Sequence, residues 1–190
     1  MSETGLPPTT SAATRDLVAR DLASVWHPFT QHAMWAYDQP LVIERGEGMH
    51  LVDSDGVRYL DGVSSLWVTV HGHGVPEIDE AIRRQLGRLD HSTFLGLTHE
   101  PGIELAEKLS ALVPIPNAHI YFAVSGSEAN DYLIKFLWYY NNAIGRPEKK
   151  KVITRVNSFH GATVVATSLS GLARNYAMFD APLPGFLHTA

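Results

Sequence analysis

Ser125-Gly126-Ser127-Glu128-Ala129-Asn130 lies between the apolar run of residues 119–124 and an amphipathic stretch, and it constrains the fold to a strand-like run, a turn of small residues and a helix start. The first amides of such a helix have no carbonyl partners of their own, and they sit at the positive end of the helix dipole, where a phosphate is stabilised. Ser125 and Glu128 have capping-box spacing: the hydroxyl accepts from the amide three residues on and the carboxylate reaches back. Ala129, Leu133, Phe136, Leu137, Tyr140 and Ile144 then recur at three- and four-residue intervals and predict one apolar stripe packed on a sheet, with Gly145 and Pro147 ending the helix. Taken alone, the hexapeptide supports two readings, an ordinary capped helix and an anion cup. No Gly-Lys-Ser/Thr and no Gly-x-Gly-x-x-Gly occurs, so neither a nucleotide P-loop nor a dinucleotide fold is expected.

Along the rest of the chain, residues 1–14 are rich in Ser, Thr and Pro and read as a disordered tail. Residues 15–25 predict a short helix. From Leu41 onward, short apolar pieces alternate with Arg45-Gly46-Glu47-Gly48 and Asp53-Ser54-Asp55-Gly56, a pattern that predicts three short strands in a meander. Residues 77–89 predict a helix with Ile78, Ile82, Leu86 and Leu89 on one face. Residues 100–112 predict another, stopped by Pro114 and Pro116. Residues 119–124 and 151–156 read as buried strands on either side of the capped helix, which implies a right-handed parallel crossover. The expected organisation is therefore a tail at 1–14, an N-terminal segment with an antiparallel meander at 15–70, and the first part of a larger α/β domain at 71–190. Two parallel strands leave too much face and edge uncovered to stand alone, so the chain is expected to be the front part of a larger protein. The competing expectation is a complete small domain that dimerises to cover its sheet.

Composition excludes several classes. The 190 residues carry a formal charge of -5, with a pI near 6.0, and so offer no basic field for nucleic acid. Lys149, Lys150 and Lys151 precede an apolar strand and read as a solvated loop. No apolar run reaches the roughly 18 residues that a membrane helix needs, and no signal-peptide pattern opens the chain, so a cytoplasmic location is expected. The absence of cysteine removes disulfides, thiolate nucleophiles and Cys-type zinc sites. His71-Gly72-His73 invites a metal reading, but no carboxylate or third histidine stands at a recognisable spacing, and no metal is expected. Asp53, Asp55 and Asp61 alternate as calcium ligands do, yet the glycine turns account for them and EF-hand spacing fails. His91 and His99 read as loop or helix-cap residues.

Several motifs occur together and in order: Trp26-His27-Pro28-Phe29-Thr30, Tyr59-Leu60-Asp61-Gly62, Leu66-Trp67, Gly126-Ser127-Glu128-Ala129-Asn130-Asp131 and Ser158-Phe159-His160-Gly161. Over residues 26–190 the chain resembles the N-terminal part of class III aminotransferases, pyridoxal-phosphate enzymes of α/β fold type I. Two branches are mixed. The Trp26 motif, Ser64-Ser65, His71-Gly72-His73 and the run from His91 to Pro101 are similar to the biotin-pathway enzyme that aminates 8-amino-7-oxononanoate with S-adenosylmethionine. By contrast, Gly126 to Asp131, Ser168-Leu169-Ser170-Gly171-Leu172 and Asn175-Tyr176 resemble omega-amino acid or amine:pyruvate transaminases.

The resemblance implies that the amides of Gly126 and Ser127, with the Ser127 hydroxyl, hold the phosphate of pyridoxal 5'-phosphate, and that Phe159, His160 and Gly161 complete the cofactor site. Phe159 stands where the family has a tyrosine; it keeps an apolar face and loses the phenolic hydroxyl. Phe29 likewise stands where the biotin enzyme has a tyrosine, and Trp67 is implied to form a wall of the substrate pocket. Without the family, Trp67 reads as a core residue. Residues 94–97 are implied to serve the neighbouring subunit of a homodimer. Transamination also needs a Schiff-base lysine and an acid at the pyridine nitrogen. Lys108, Lys135, Lys149, Lys150 and Lys151 match no such lysine motif, so no catalytic residue is assigned and the 190 residues alone are expected to be inactive. Rival expectations are a truncated pseudoenzyme, a non-catalytic phosphate-binding or dimerisation module, and a fusion of two homologous genes.

Overall fold

The computed structural model describes residues 10–35, 37 and 40–190. Most of the tail expected at 1–14 thus lies outside the described residues, and its last part is ordered: Ser11 accepts from the Thr14 amide and caps helix α1, Ala12–Ser24. The chain divides into two compact units, the first ending at Leu97 and the second beginning at Thr98. His73 exchanges two backbone hydrogen bonds with Gly48, of 3.1 and 2.7 Å, and these tie residues 71–73 to the meander.

In the first unit, a short helix α2, His32–Trp35, precedes three antiparallel strands in the order β1-β2-β3: Ile43–Glu47, His50–Asp53 and Arg58–Leu60. Gly48 turns β1 into β2 at φ 56°. Each aspartate of the meander has a structural partner. Asp53 accepts from the amides of Asp55 and Val57 and from the Tyr59 hydroxyl, closing the β2–β3 turn. Asp55 accepts from the Ser11 amide and the Thr14 hydroxyl, anchoring α1 to that turn. The chain then makes a left-handed turn at Ser64–Trp67 (α3) and a regular helix α4, Pro76–Leu86, whose stripe of Ile78, Ile82 and Leu86 is exposed.

The second unit holds α5, Glu100–Leu112; α6, Gly126–Ala143; β4, Val152–Arg155; α7, Val164–Leu169; and β5, Phe186–Thr189. His99 caps α5, its Nδ1 accepting from the Gly102 amide. The expected parallel pairing of residues 119–124 with 151–156 does not form. Strand β4 instead pairs in parallel with β5, so the crossover is β4–α7–β5. A strand exists only through a neighbour's ladder, and residues 119–124 have none among the described residues; Val124 is 95% exposed and its amide goes to the Glu128 carboxylate.

The expected packing face of α6 is also corrected. Leu133, Phe136, Leu137, Tyr140 and Ile144 are exposed, and the helix meets the sheet through Ile134 and Trp138. Ile134, Leu169 and Phe186 form the core, flanked by Trp138, Val152, Val165 and Leu183, with Trp138 edge-on to Phe186 at 6.4 Å. Burying an aromatic of the size of Phe186 contributes about 2–3 kcal/mol. Lys150 belongs to this packing rather than to a solvated loop: its Nζ donates to the Trp138 carbonyl and to Asn142 Oδ1, while Trp138 Nε1 donates to the Lys150 carbonyl.

Candidate functional site

The start of α6 is a capped helix N-terminus built from its own residues. Ser125, in extended backbone, accepts from the Glu128 amide at 3.1 Å. The Glu128 carboxylate reaches back to the Val124 amide at 2.8 Å, one residue beyond the usual capping-box donor. Gly126 and Ser127 are the first two helical residues, and no carbonyl of their own helix can reach their amides.

Residues 158–163 fold against this helix start. Ser127 Oγ accepts from the Ala162 amide at 3.0 Å, and Asn130 Nδ2 donates to the His160 carbonyl at 2.7 Å. Asp131 Oδ1 accepts from the Thr163 hydroxyl at 2.7 Å and the Ala166 amide at 3.1 Å, so a residue of α6 caps α7. On the other side of the loop, the His160 amide donates to Ser170 Oγ, and Ser170 is itself buried. The geometry thus brings together Ser127, His160 and Gly161, with Gly126 exposed at the helix start and Phe159, next to His160 in sequence, 51% exposed. Asn130, Asp131 and Ser170 carry no separate role in the motifs; for the first two the sequence signal is spacing, since positions 127, 130 and 131 fall on one helical face. Truncating Asp131 to alanine leaves the Ala166 amide and the Thr163 hydroxyl without their acceptor. A loss of about 2 kcal/mol in unfolding free energy is expected, measurable by denaturant titration.

Phe29 and Trp67 lie on separate segments of the first unit, both 76% exposed, so the core reading of Trp67 fails there. Both have left-handed backbone, Phe29 at φ 52° and Trp67 at φ 70°. Trp67 ends a run of four such residues, Ser64, Ser65, Leu66 and Trp67, none of them glycine. Left-handed backbone costs an L-residue roughly 1–2 kcal/mol, so the turn persists only because its surroundings hold it. Trp67 donates its amide to the Val63 carbonyl, and Val68 and Thr69 donate theirs to Ser64. Asp61 accepts from the Ser65 amide at 2.9 Å and the Ser65 hydroxyl at 2.8 Å, and His73 Nε2 lies 2.9 Å from its Oδ2.

The Ser65 amide, His73 and the Ser65 hydroxyl, in that order of effect, lower the Asp61 carboxyl from its ordinary 3.8 to about 2. Because the folded value lies below the unfolded one, this carboxylate contributes stability above pH 3.8 and loses it as the pH falls towards 2. The melting temperature of the wild type is therefore expected to fall more steeply across that interval than that of Asp61→Asn. Equal slopes in the two proteins would contradict the assignment.

Residues 32–189 match the model of the family "Aminotransferase class-III". The chain is 44% identical over 175 residues to the adenosylmethionine-8-amino-7-oxononanoate aminotransferase of Nitratidesulfovibrio vulgaris, covering 91% of this chain and 32% of that protein. It is also 44% identical over 164 residues to gamma-aminobutyrate transaminase 1, mitochondrial, of Oryza sativa subsp. indica, covering 85% and 32%. Among solved structures, the omega transaminase from Pseudomonas jessenii in complex with PMP superposes with a TM-score of 0.86 at 43% identity, over 90% of this chain and 38% of that one. The (S)-enantioselective omega-transaminase from Thermomicrobium roseum gives 0.87 at 40% identity, over 95% and 40%. The chain spans about a third of the length of these curated relatives.

Proposed function

This chain belongs to the class III aminotransferase family and shares the fold type I architecture of its solved relatives, and from that premise we propose that the protein transfers an amino group from a primary amine or S-adenosylmethionine to an oxo acid or 8-amino-7-oxononanoate. Pyridoxal phosphate is the cofactor of the family. The observation that carries the reading is the interlock of the α6 start with residues 159–162. It offers two helix-start amides, a hydroxyl and a glycine whose missing side chain lets the backbone come close. These residues fit a phosphate monoester.

When bound, pyridoxal phosphate supplies an electron sink for negative charge at the substrate carbon. The amides of Gly126 and Ser127 would donate to its phosphate. Ser127 plays two parts, because its oxygen accepts from Ala162 while its proton is left to donate to the anion. Asn130 and Asp131 hold the facing loop, with His160 and Gly161 in it, against the helix. Phe159 would offer the cofactor ring an apolar face without a phenolic hydrogen bond. Phe29 and Trp67 wall the substrate site. The lysine that bonds the cofactor is assigned outside the five of this chain: Lys150 is held by Trp138 and Asn142, and Lys135 Nζ sits 4.0 Å over the Tyr132 ring. The working protein is proposed to be a cytoplasmic homodimer in which residues 94–97 serve the neighbouring site. Among the described residues no helix is long and apolar enough to cross a membrane.

Borohydride reduction of the full-length, cofactor-loaded protein, followed by peptide mapping, tests the lysine assignment. Label on a lysine other than these five is expected, and label on Lys108, Lys135, Lys149, Lys150 or Lys151 would overturn it. Turnover is expected with S-adenosylmethionine or with a primary amine. No turnover with either would remove the transaminase reading and leave a phosphate-binding module.

A further inference from the structure

We propose that Asp61 and His73 are positioning residues that hold the left-handed turn Ser64–Trp67 in the shape with which Leu66 and Trp67 select the amine by size; the inference rests on the transaminase reading above. Burial does not offset the strain of the turn, because Leu66 and Trp67 remain 68% and 76% exposed within their own unit. Strain held without burial is a feature of sites that present side chains to a ligand. What holds it is a short relay from the meander. Strand β1 contributes Gly46, whose bare backbone lies against the His73 ring: a Cβ there would stand 2.6 Å from His73 Cβ and 2.7 Å from Nδ1. The paired backbone hydrogen bonds between Gly48 and His73 fix the base of that side chain. His73 Nε2 then meets Asp61 Oδ2, and the same carboxylate takes both the amide and the hydroxyl of Ser65, inside the turn. With one face on the sheet and the other on the turn, the pair leaves Ser65 one conformation. This also gives His71-Gly72-His73 a role that needs no metal: at φ 88° Gly72 runs past Gly48, where a Cβ would stand 3.0 Å from the Gly48 carbonyl oxygen, and the bare backbone lets His73 reach Gly46 and Asp61.

The full-length, cofactor-loaded protein and its variants Asp61→Asn, His73→Phe, His73→Gln and Gly46→Ala provide the test. Two readouts are taken: amide hydrogen exchange at Ser65, Trp67, Val68 and Thr69, and KM against kcat for a small and a bulky primary amine. In Asp61→Asn, His73→Phe and Gly46→Ala, exchange at those amides is expected to quicken by about tenfold or more, as local opening becomes easier. KM for the bulky amine is expected to shift about tenfold relative to the small one, with kcat for the small amine within about threefold of wild type. His73→Gln keeps a donor towards Asp61 and is expected to recover most of both. Unchanged exchange in Asp61→Asn and His73→Phe overturns the positioning role whatever the activity. A uniform fall in kcat for both amines, not rescued by His73→Gln, overturns the selectivity role. An inactive wild type with quickened exchange in the variants contradicts the transaminase reading, and the selectivity role with it, while supporting the relay.

Discussion

Gly161→Ala is expected to lower the unfolding free energy by about 3 kcal/mol and to weaken retention of pyridoxal phosphate by on the order of 100-fold. A Cβ at this position would run into Ser127 Oγ, and would lie 2.8 Å from Ala166 Cβ and 2.9 Å from Ser127 Cα. None of these is the free end of a flexible side chain: Ser127 Oγ is held by the Ala162 amide and Ala166 is buried in α7. The backbone adds its own cost, since φ is 134°, a region L side chains rarely adopt. Relief requires the loop to move away from the helix start, and that movement breaks the Ser127–Ala162 hydrogen bond and disturbs the amides proposed to hold the phosphate. The loss is read as a lower melting temperature together with cofactor release on dialysis. A variant that melts and retains cofactor like the wild type would show that the interlock is not tight.

Gly171→Ala is expected to cost more, about 4 kcal/mol, with the damage reaching the site through Ser170. Here φ is unremarkable and the obstacle is backbone. The added Cβ would collide with the Arg155 carbonyl oxygen and lie 2.6 Å from Val156 Cα and 2.9 Å from the Arg155 carbonyl carbon. Gly171 is fixed from both sides, its amide donating to the Ser158 carbonyl and its carbonyl accepting from the Asn157 amide, two residues past β4. Since Ser170 Oγ accepts the His160 amide, displacing Gly171 pulls on residues 159–162, the proposed cofactor loop. Hydrogen exchange should quicken at His160 and at Ala162 in this variant, whereas α1 and the meander, in the other compact unit, should keep wild-type protection.

The sequence revealed more of the local chemistry than of the packing. The Ser125 cap, the Glu128 return and the three-stranded meander follow from nearest-neighbour rules, and they stand as expected. The buried face of α6 did not, because the helix is apolar on both sides and periodicity cannot choose between a stripe through Leu133, Leu137 and Tyr140 and one through Ile134 and Trp138. Residues 119–124 misled for a related reason: their composition suits a strand, but pairing is a relation with another segment, and the partner of β4 lies at Phe186–Thr189. The left-handed turn carried no local signal at all. Ser64, Ser65, Leu66 and Trp67 include no glycine or asparagine, and only the Asp61–His73 pair, distant in sequence from one another, makes the conformation intelligible. Residues 127, 130 and 131 on one helical face were legible in principle, yet what that face would meet was not.

Binding of pyridoxal phosphate compared with pyridoxal, to the wild type and to Ser127→Ala, is the most direct test of the claim that the start of α6 and residues 159–162 form a phosphate cup. The phosphate should tighten binding to the wild type, and removing one charge-assisted hydrogen bond together with the Ala162 acceptor should shrink that preference by about 10- to 100-fold. Pyridoxal, which lacks the phosphate, should bind the two proteins nearly alike. A phosphate preference of the same size in wild type and variant would place the anion elsewhere and contradict the account.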